Sequence, residues 1–499
     1  MKRVTVLVLF VAAFITACSD KKTSPLTERV SSFLSEHENT ITFGSVDLDA
    51  LLNKSDLESF PNFGNVIMEQ YKSLKSSFTL TDKIYFALDG PVSRDGVPSR
   101  SYFFMHVENK DSLSDLFEDM GYFFEEESGF HIAEDNNMAI GYDEDLFIAF
   151  VGRNDDNVRD LLKSAFAATQ SGDKNDKALD MLAREGDFII ASNLKELYGT
   201  SNTDLNKLPI KQQEEVRAMA DGSYIASSLN FKDGEIVFES ENYFNDKLKE
   251  TLFFNEKMSF NPLEKLGPGD AILAFAFDLD IVKLESLVDR FYPAGLNELY
   301  KSMGTSGLIL KGLGGEELSK IVDGRFGLAM SSIPENTMGA EVPELAMYMG
   351  IGSSGDKIVE VINDFTSGPE IEEVEKGKGV YRFEDARIKM DEGEMTVHST
   401  IKNYASEDFS KKLTIHSDEV NFGSKPMSLF IDINRLVKED IGREFKDARV
   451  LLSTMNYLYL EADNASTQLR ITFKNKEINA LKALLDALQS ELQNIMSNV

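Results

Sequence analysis

The chain has 499 residues, a formal net charge of −32, and a composition of 42% apolar and 27% charged residues. That balance is typical of a globular protein and excludes a disordered chain. A surface this acidic repels nucleic acid and anionic lipid headgroups, so we expect neither as a partner. The length exceeds what one hydrophobic core usually serves and predicts two or more domains. Cys18 is the single cysteine, so intrachain disulfide bonds are excluded.

The N-terminus has the pattern of a secretory signal. Lys2 and Arg3 precede a mostly apolar run, Val4 to Ala17, which is shorter than the about 20 residues of a membrane-spanning helix. The run ends in Ile15-Thr16-Ala17-Cys18, which resembles a bacterial lipobox. The alternative is an uncleaved anchor helix or a buried core helix.

The lipobox resemblance implies a signal peptide over residues 1–17, cleavage before Cys18 and acylation of that cysteine. Residues 18–24 then form a lipidated tether that attaches the protein to a membrane. Ser19 follows the cysteine, and serine there is compatible with the outer membrane of Gram-negative bacteria. We therefore expect a cell-envelope protein, with the periplasmic or surface face left open.

One phrase occurs four times: a short apolar strand, then Asp or Asn, then the start of a helix. Such a side chain accepts hydrogen bonds from the first free amides of a helix, so we predict helix caps. The alternative interpretation makes these side chains metal ligands or catalytic acids. The phrases surround Asp47, Asn193, Asp278 (with Asp280) and Asp432.

The elements around these phrases recur in the same order, at spacings of about 230 to 245 residues. This pattern predicts an internal duplication, with one domain over residues 25–255 and a related domain over residues 256–499. The alternative is chance similarity between α+β segments. The matched pairs are strands 83–88 and 324–330, strands 102–107 and 346–351, helices 112–120 and 356–365, strands 130–133 and 380–383, strands 138–142 and 386–390, and strands 146–151 and 395–399.

Each half closes with a predicted hairpin. The first turns at Asp233-Gly234 and the second near Asp463-Asn464. We therefore predict the α+β class, with two related domains that each carry an antiparallel sheet covered on one face by helices. A final helix over residues 477–496 has one apolar stripe and is expected to pack on the second sheet, the alternative being a partner-binding helix.

One glycine pattern, Gly350-Ile351-Gly352-Ser353-Ser354-Gly355, matches a dinucleotide-binding loop and lies between a strand and a helix. The elements that follow resemble an antiparallel meander, whereas a dinucleotide site needs a second parallel strand. The matching stretch of the first half, 106–111, contains no glycine. We therefore interpret the pattern as a strand-to-helix turn.

The remaining polar candidates are histidines and acidic clusters. The five histidines show no zinc-ligand spacing, although His106 and His131 are expected on neighbouring strands, where they could approach each other. Asp143 to Asp145 is interpreted as a hairpin turn, and Glu125 to Glu127 and Asp155-Asp156 as solvated loops, against calcium or glycosidase alternatives. We predict no catalytic residue, cofactor or metal site.

The layout resembles a family of Bacteroidota-type cell-envelope lipoproteins of unknown function. The similarity lies in the lipobox, in Val46-Asp47-Leu48 and in the stretch Asp111 to Val151, which includes Leu113-Ser114-Asp115-Leu116-Phe117, Gly129-Phe130-His131 and Ile140-Gly141-Tyr142. It implies an envelope location and no catalytic residues. We expect a non-enzymatic protein that binds an unknown protein or polymer. The alternatives are an envelope hydrolase with an unrecognised carboxylate site and a structural or assembly factor, and the oligomeric state is open.

Overall fold

A computed structural model describes residues 25–60, 63–92, 98–127, 129–201, 208–291, 301, 318–332, 344–354, 372–375, 379–383, 386–399, 412–438 and 449–497. Two compact units divide the chain between Leu248 and Lys249, and the segment Lys476–Asp486 belongs with the first unit. Each unit combines α-helices with a large antiparallel sheet, which confirms the predicted α+β class. Each strand predicted in the two halves is present where the structure describes the chain. The predicted helix 356–365 lies outside the described residues.

The first unit alternates strands and helices from its first described residue onward. Its strands are β1 (Thr40–Val46), β2 (Ile84–Val92), β3 (Pro98–His106), β4 (Glu125–Glu127), β5 (Phe130–Asp135), β6 (Met138–Tyr142), β7 (Leu146–Val151), β8 (Phe188–Asn193), β9 (Tyr224–Lys232) and β10 (Glu235–Tyr243). Its helices are α1 (Pro25–Glu36), α2 (Leu48–Ser55), α3 (Phe63–Lys75), α4 (Lys110–Asp119), α5 (Val158–Thr169), α6 (Asp176–Leu182), α7 (Leu194–Ser201), α8 (Ile210–Ala220) and α9 (Asp246–Lys249).

Every strand pair of the first sheet is antiparallel, and the strand order is β4-β5-β6-β7-β3-β2-β1-β8-β9-β10. The predicted hairpin between β9 and β10 is present. Gly234 stands in its turn at a φ of +70°, a conformation that glycine adopts without steric penalty. Asparagine side chains begin three helices: Asn109, Asn157 and Asn175 accept from the amides of Ser112, Asp160 and Ala178.

Helices cover both faces of the first sheet, which corrects the prediction that they cover one face. One core lies under α1, α5 and α6 and contains Phe33, Phe104 and Phe166, all fully buried. The other lies under α2, α3 and α4 and includes Leu52, Tyr71 and Phe117. The expectation failed because the strands are apolar on both faces, and side chains alternate between the faces along each strand.

The second unit repeats the alternation of strands and helices. Its strands are β11 (Gly269–Asp270), β12 (Leu273–Asp278), β13 (Val322–Ser332), β14 (Glu344–Ile351), β15 (Glu372–Glu375), β16 (Val380–Phe383), β17 (Ala386–Asp391), β18 (Glu394–Ser399), β19 (Leu413–Thr414), β20 (Met427–Ile431), β21 (Met455–Ala462) and β22 (Ser466–Phe473). Its helices are α10 (Pro262–Lys265), α11 (Ile281–Phe291), α12 (Ile433–Lys438) and α13 (Arg449–Thr454).

The main sheet of the second unit is antiparallel, with the order β15-β16-β17-β18-β14-β13-β12-β20-β21-β22. Its strands follow the same order as those of the first sheet, with β12 in the place that β1 has there. The short strands β11 and β19 form a separate parallel pair. One face of the main sheet packs small and aromatic side chains, such as Ala276 and Tyr348, against Phe260 and Leu266.

The C-terminal helix α14 (Ala480–Ser497) begins in the segment that belongs with the first unit. Leu485 packs against the core under α2, α3 and α4, and the Lys482 ammonium lies 3.0 Å from Asp56. The expected packing of this part of the helix on the second sheet is therefore wrong. Among the described helices, none has the length and hydrophobicity that crossing a membrane requires.

Candidate functional site

Cys18, the predicted lipidation site, lies outside the described residues, as do the predicted signal peptide and the rest of the predicted tether. The first described residue, Pro25, begins α1, which is held in the core by Val30 and Phe33.

A helix cap forms in three of the four phrases, at Asn193, Asp432 and Asp280. Asn193 accepts from the Lys195 amide at 3.1 Å, and Asp432 accepts from the Arg435 amide at 2.8 Å. In the phrase around Asp278 the cap is Asp280, which accepts from the Lys283 amide.

The cap prediction is wrong for Asp47, which follows β1, and for Asp278, which is the last residue of β12. The Asp47 side chain makes no cap hydrogen bond. Asp278 accepts instead from Asn255 and Ser259. Both side chains are buried, each at the end of the central strand of its own sheet.

The glycine pattern at Gly350 is a packing feature. A Cβ on Gly350 would lie 1.9 Å from the Asp323 carboxylate, and one on Gly352 would lie 2.3 Å from the Ser319 carbonyl oxygen. The amides of Gly352 and Ser354 donate to the carbonyls of Ile321 and Lys320. These amides are already used, and β14 pairs with antiparallel neighbours only, so the turn interpretation fits and a phosphate-binding loop does not.

The histidine pair predicted from the sequence does not form. His106 is on β3 and His131 on β5, and two strands, β7 and β6, lie between them. His106 Nδ1 is 2.8 Å from the Asp82 carboxylate, while His131 stacks on Tyr142. The two histidines were expected on neighbouring strands, but the order of the strands in the sheet differs here from their order along the chain. In the sheet, β7 is the neighbour of β3.

The predicted hairpin turn at Asp143 is confirmed, and it has a partner that the sequence did not indicate. Asp143 joins β6 to β7 and accepts from the amides of Asp145 and Leu146. Arg29 of α1 donates to Asp143 at 2.6 Å and to Asp145 at 2.6 Å. This acidic turn therefore anchors the first helix and leaves no carboxylate pair for a substrate.

The other two acidic clusters are bound by basic side chains, whereas the sequence analysis expected solvated loops. Asp156 is held by Arg100 at 2.7 Å. Glu127 lies in β4 and pairs with Arg159 at 3.0 Å. Within the described parts of the chain, no group of three or more His, Cys, Asp or Glu side chains is arranged to hold a metal ion.

The feature that stands out is a set of apolar side chains on the second sheet, on the face opposite Ala276 and Tyr348. Directly paired residues share a face, so the register shows which side chains lie beside each other. One row across six strands contains Leu345, Met330, Leu273, Ile431, Leu458 and Ile471. The adjacent row contains Met347, Leu328, Phe275, Leu429, Leu460 and Leu469.

We call these twelve residues the apolar face. Each is half-buried, whereas the intervening strand residues Ala274, Ala276 and Phe430 are buried. Because neighbouring strands lie about 4.8 Å apart, six strands give the face a width of about 24 Å. None of its twelve positions carries a charge or a hydrogen-bonding group.

The first sheet has quite different residues at the matching positions. The first of its two rows contains Ser101, Leu88, Thr42, Ser192, Ile225 and Asn242. The adjacent row contains Phe103, Phe86, Gly44, Ile190, Ser227 and Ser240. Several hydroxyls there bond to each other, with Thr42 3.2 Å from Ser192 and Ser227 3.1 Å from Ser240. The same strand order thus forms with hydroxyls where the second sheet has leucine and isoleucine, so the fold alone does not require the apolar face.

Sequence reasoning missed this face because it depends on register across six strands. The alternation along single strands is visible, as in Leu273-Ala274-Phe275-Ala276-Phe277. That pattern indicates a large apolar residue on one face and a small one on the other. It does not say which strands lie side by side.

Comparison with known proteins adds little. No family model matches the chain, and no curated protein matches it. Among the solved structures, crystal form I of TP0453 is similar at 11% sequence identity and a TM-score of 0.27, over 45% of this chain and 80% of that chain. A similarity of this size supports no conclusion about fold or function.

Proposed function

We propose that the chain is a membrane-tethered lipoprotein of the cell envelope that binds a partner, a protein or a polymer with an apolar surface, through the apolar face. The anchor is a lipid on Cys18, and Ser19 directly after it is compatible with the outer membrane. The observation that carries the binding role is the contrast at matched positions, for example Leu273 with Thr42 and Ile431 with Ser192. Contiguous apolar patches that reach solvent mark interaction sites, and each of the twelve residues keeps part of its surface accessible.

We also propose that the two units arose by internal duplication. The support is the shared strand order around β1 and β12, together with the register at the ends of these strands. The Asp47 amide donates to the Asp187 carbonyl, and the Asp278 amide donates to the Pro426 carbonyl at the same place in the second sheet. A duplicated fold allows one copy to keep a polar face while the other changes.

A catalytic role has less support. An acid–base pair has to reach its substrate within hydrogen-bonding distance. The buried carboxylates at the end of the first sheet do not meet that condition, since Asp187 is fully buried and Asp47 is 4% exposed. We therefore place the function in binding.

The test replaces residues of the apolar face by those of the first sheet. The variant combines Leu273→Thr, Ile431→Ser and Leu460→Ser, the residues found at positions 42, 192 and 227. We expect a several-fold loss of apolar dye binding and of crosslinking to envelope partners. The expected loss of unfolding free energy is about 1 kcal/mol per site, since half-buried side chains contribute less than buried ones.

The control is Ile190→Ser in the first sheet, where the side chain is 44% exposed and lies beside Ser192 and Ser227. That variant is expected to leave dye binding and crosslinking unchanged. If the triple variant instead loses about 2–5 kcal/mol per site, as buried core positions do, the face belongs to the core and the proposal is wrong.

A further inference from the structure

Asp47 occupies an unusual place at the junction of β1 and α2. It stands where a helix cap would stand, with φ −99° and ψ 100°, but its side chain makes no cap hydrogen bond. The residue is 4% exposed. Within the described residues its carboxyl accepts no hydrogen bond, which is costly for a buried charged group.

The charged groups around Asp47 come from two other places in the chain and from the helix that follows it. They are Lys83 before β2, Asp187 before β8, and Asp49 and Lys54 of α2. Lys54 donates to both carboxylate oxygens of Asp187, and the Lys83 ammonium donates to the Arg184 carbonyl. Asp49 accepts from Tyr71 and from Asn53. Both lysines thus share their charge between Asp47 and other acceptors.

The matching residue of the second unit shows what a buried carboxylate needs at this position. Asp278 is 1% exposed. It accepts from Asn255 Nδ2 at 2.6 Å, from the Ser259 amide at 2.6 Å and from the Ser259 hydroxyl at 2.5 Å. Three donors stabilise the ionised form there, and Asp47 has none of them.

We propose that Asp47 is a proton-controlled switch at the start of α2. Protonated, its neutral carboxyl is compatible with the buried junction. Ionised, it places a second negative charge beside Asp187 and competes for Lys54, whose donation to Asp187 links α2 to the start of β8. Loss of the proton therefore loosens α2 from the sheet.

The pKa of Asp47 places the loss of its proton near neutral pH. Burial raises the pKa of Asp47 from 3.8 to about 7; Asp187 and Asp49 also raise it, while Lys83 and Lys54 lower it. Since the folded-state pKa lies above the unfolded value, the folded state holds a proton that the unfolded state has lost. The stability from protonated Asp47 is therefore lost as pH rises from about 4 to about 7, and it stays lost above that range.

The test measures amide hydrogen exchange in residues 48–55 of the full chain at pH 5.5 and pH 8, corrected for the intrinsic pH dependence of exchange. We expect the opening equilibrium of α2 to rise by about tenfold or more at pH 8 in the unmodified protein. In Asp47→Asn, which imitates the neutral carboxyl, the equilibrium should stay constant between the two pH values.

Asp278→Asn is the matched control. It removes a carboxylate that has three donors, so it should weaken its own junction equally at both pH values. Equal protection of residues 48–55 at both pH values in the unmodified protein would overturn the proposal. So would a pH effect that persists in Asp47→Asn. If Asp47→Asn does not fold, the measurement on the unmodified protein decides by itself.

Discussion

The Lys54 ammonium donates to both carboxylate oxygens of Asp187, at 2.7 Å and 2.9 Å. Asp187 is fully buried and also accepts from the Phe231 amide at 2.7 Å. The pair connects α2 to β8 and β9 within the first unit. At the matching places the second unit has Glu285 and Pro426, so this ion pair is specific to the first unit.

Lys54→Met should destabilise the protein by about 3–5 kcal/mol, because it leaves a buried carboxylate with only the Phe231 amide as donor. Urea unfolding measures the loss. The double variant with Asp187→Asn removes the buried charge as well and should recover part of the stability. A loss no larger than that of an exposed ion pair, below about 1 kcal/mol, would contradict the role assigned to Lys54.

Arg29→Ala should destabilise the first unit by about 1–3 kcal/mol, because Asp143 is largely buried and loses a charged donor. Burial alone raises the pKa of Asp143, but Arg29 and the amides of Leu146 and Asp145 outweigh it, so the pKa lies below its ordinary value. The stability from this carboxylate is present above its unfolded pKa and lost as pH falls through the folded one.

In Arg29→Ala the folded pKa of Asp143 moves up toward the unfolded one, so the part of the acid-induced loss that comes from Asp143 should shrink, which a series of urea unfolding curves from pH 7 downward measures. Asp145→Asn is the control, since that side chain is 54% exposed and should change stability little. An unchanged acid transition in Arg29→Ala would show that the pair does not set the pKa of Asp143.

Gly44→Ala should cost about 1–3 kcal/mol, because β1 and β8 approach closely at this residue. A Cβ there would lie 1.9 Å from the Ile189 carbonyl oxygen and 2.7 Å from the Phe86 ring. Gly327→Ala is the comparison, since its Cβ would meet only the movable Leu266 side chain at 3.1 Å. Thermal unfolding of both variants should show the larger loss at Gly44, and equal losses would argue against the close approach.

Cys18→Ser in the full chain should move the protein from the membrane fraction to the soluble fraction and abolish incorporation of labelled fatty acid. The reason is that the proposed attachment is covalent and needs the thiol. Ser24→Ala in the predicted tether is the control and should remain membrane-bound. A Cys18→Ser protein that stays in the membrane fraction with unchanged mass would exclude lipidation.

Most of the local structure could be predicted from the sequence. Alternating strands such as 138–142 and 146–151, and turns such as Asp233-Gly234, depend on side-chain periodicity and backbone preference over a few residues. The residue types that cap helices could be predicted from the sequence, but not always which residue of a phrase forms the cap. Asp47 and Asp278 have the residue type of a cap, yet neither caps a helix: Asp47 stands at the cap position without a cap hydrogen bond, and Asp278 is the last residue of β12.

The sequence by itself thus determined the α+β class, the strand and hairpin positions and the resemblance to a lipobox at Cys18, because these depend on neighbours along the chain. Only the tertiary structure decided which residues meet across strands. The separation of His106 from His131, the burial of Asp47 beside Asp187 and the continuity of the apolar face all follow from strand order and register. Those depend on packing between distant segments, for which the order of residues along the chain carries no direct signal.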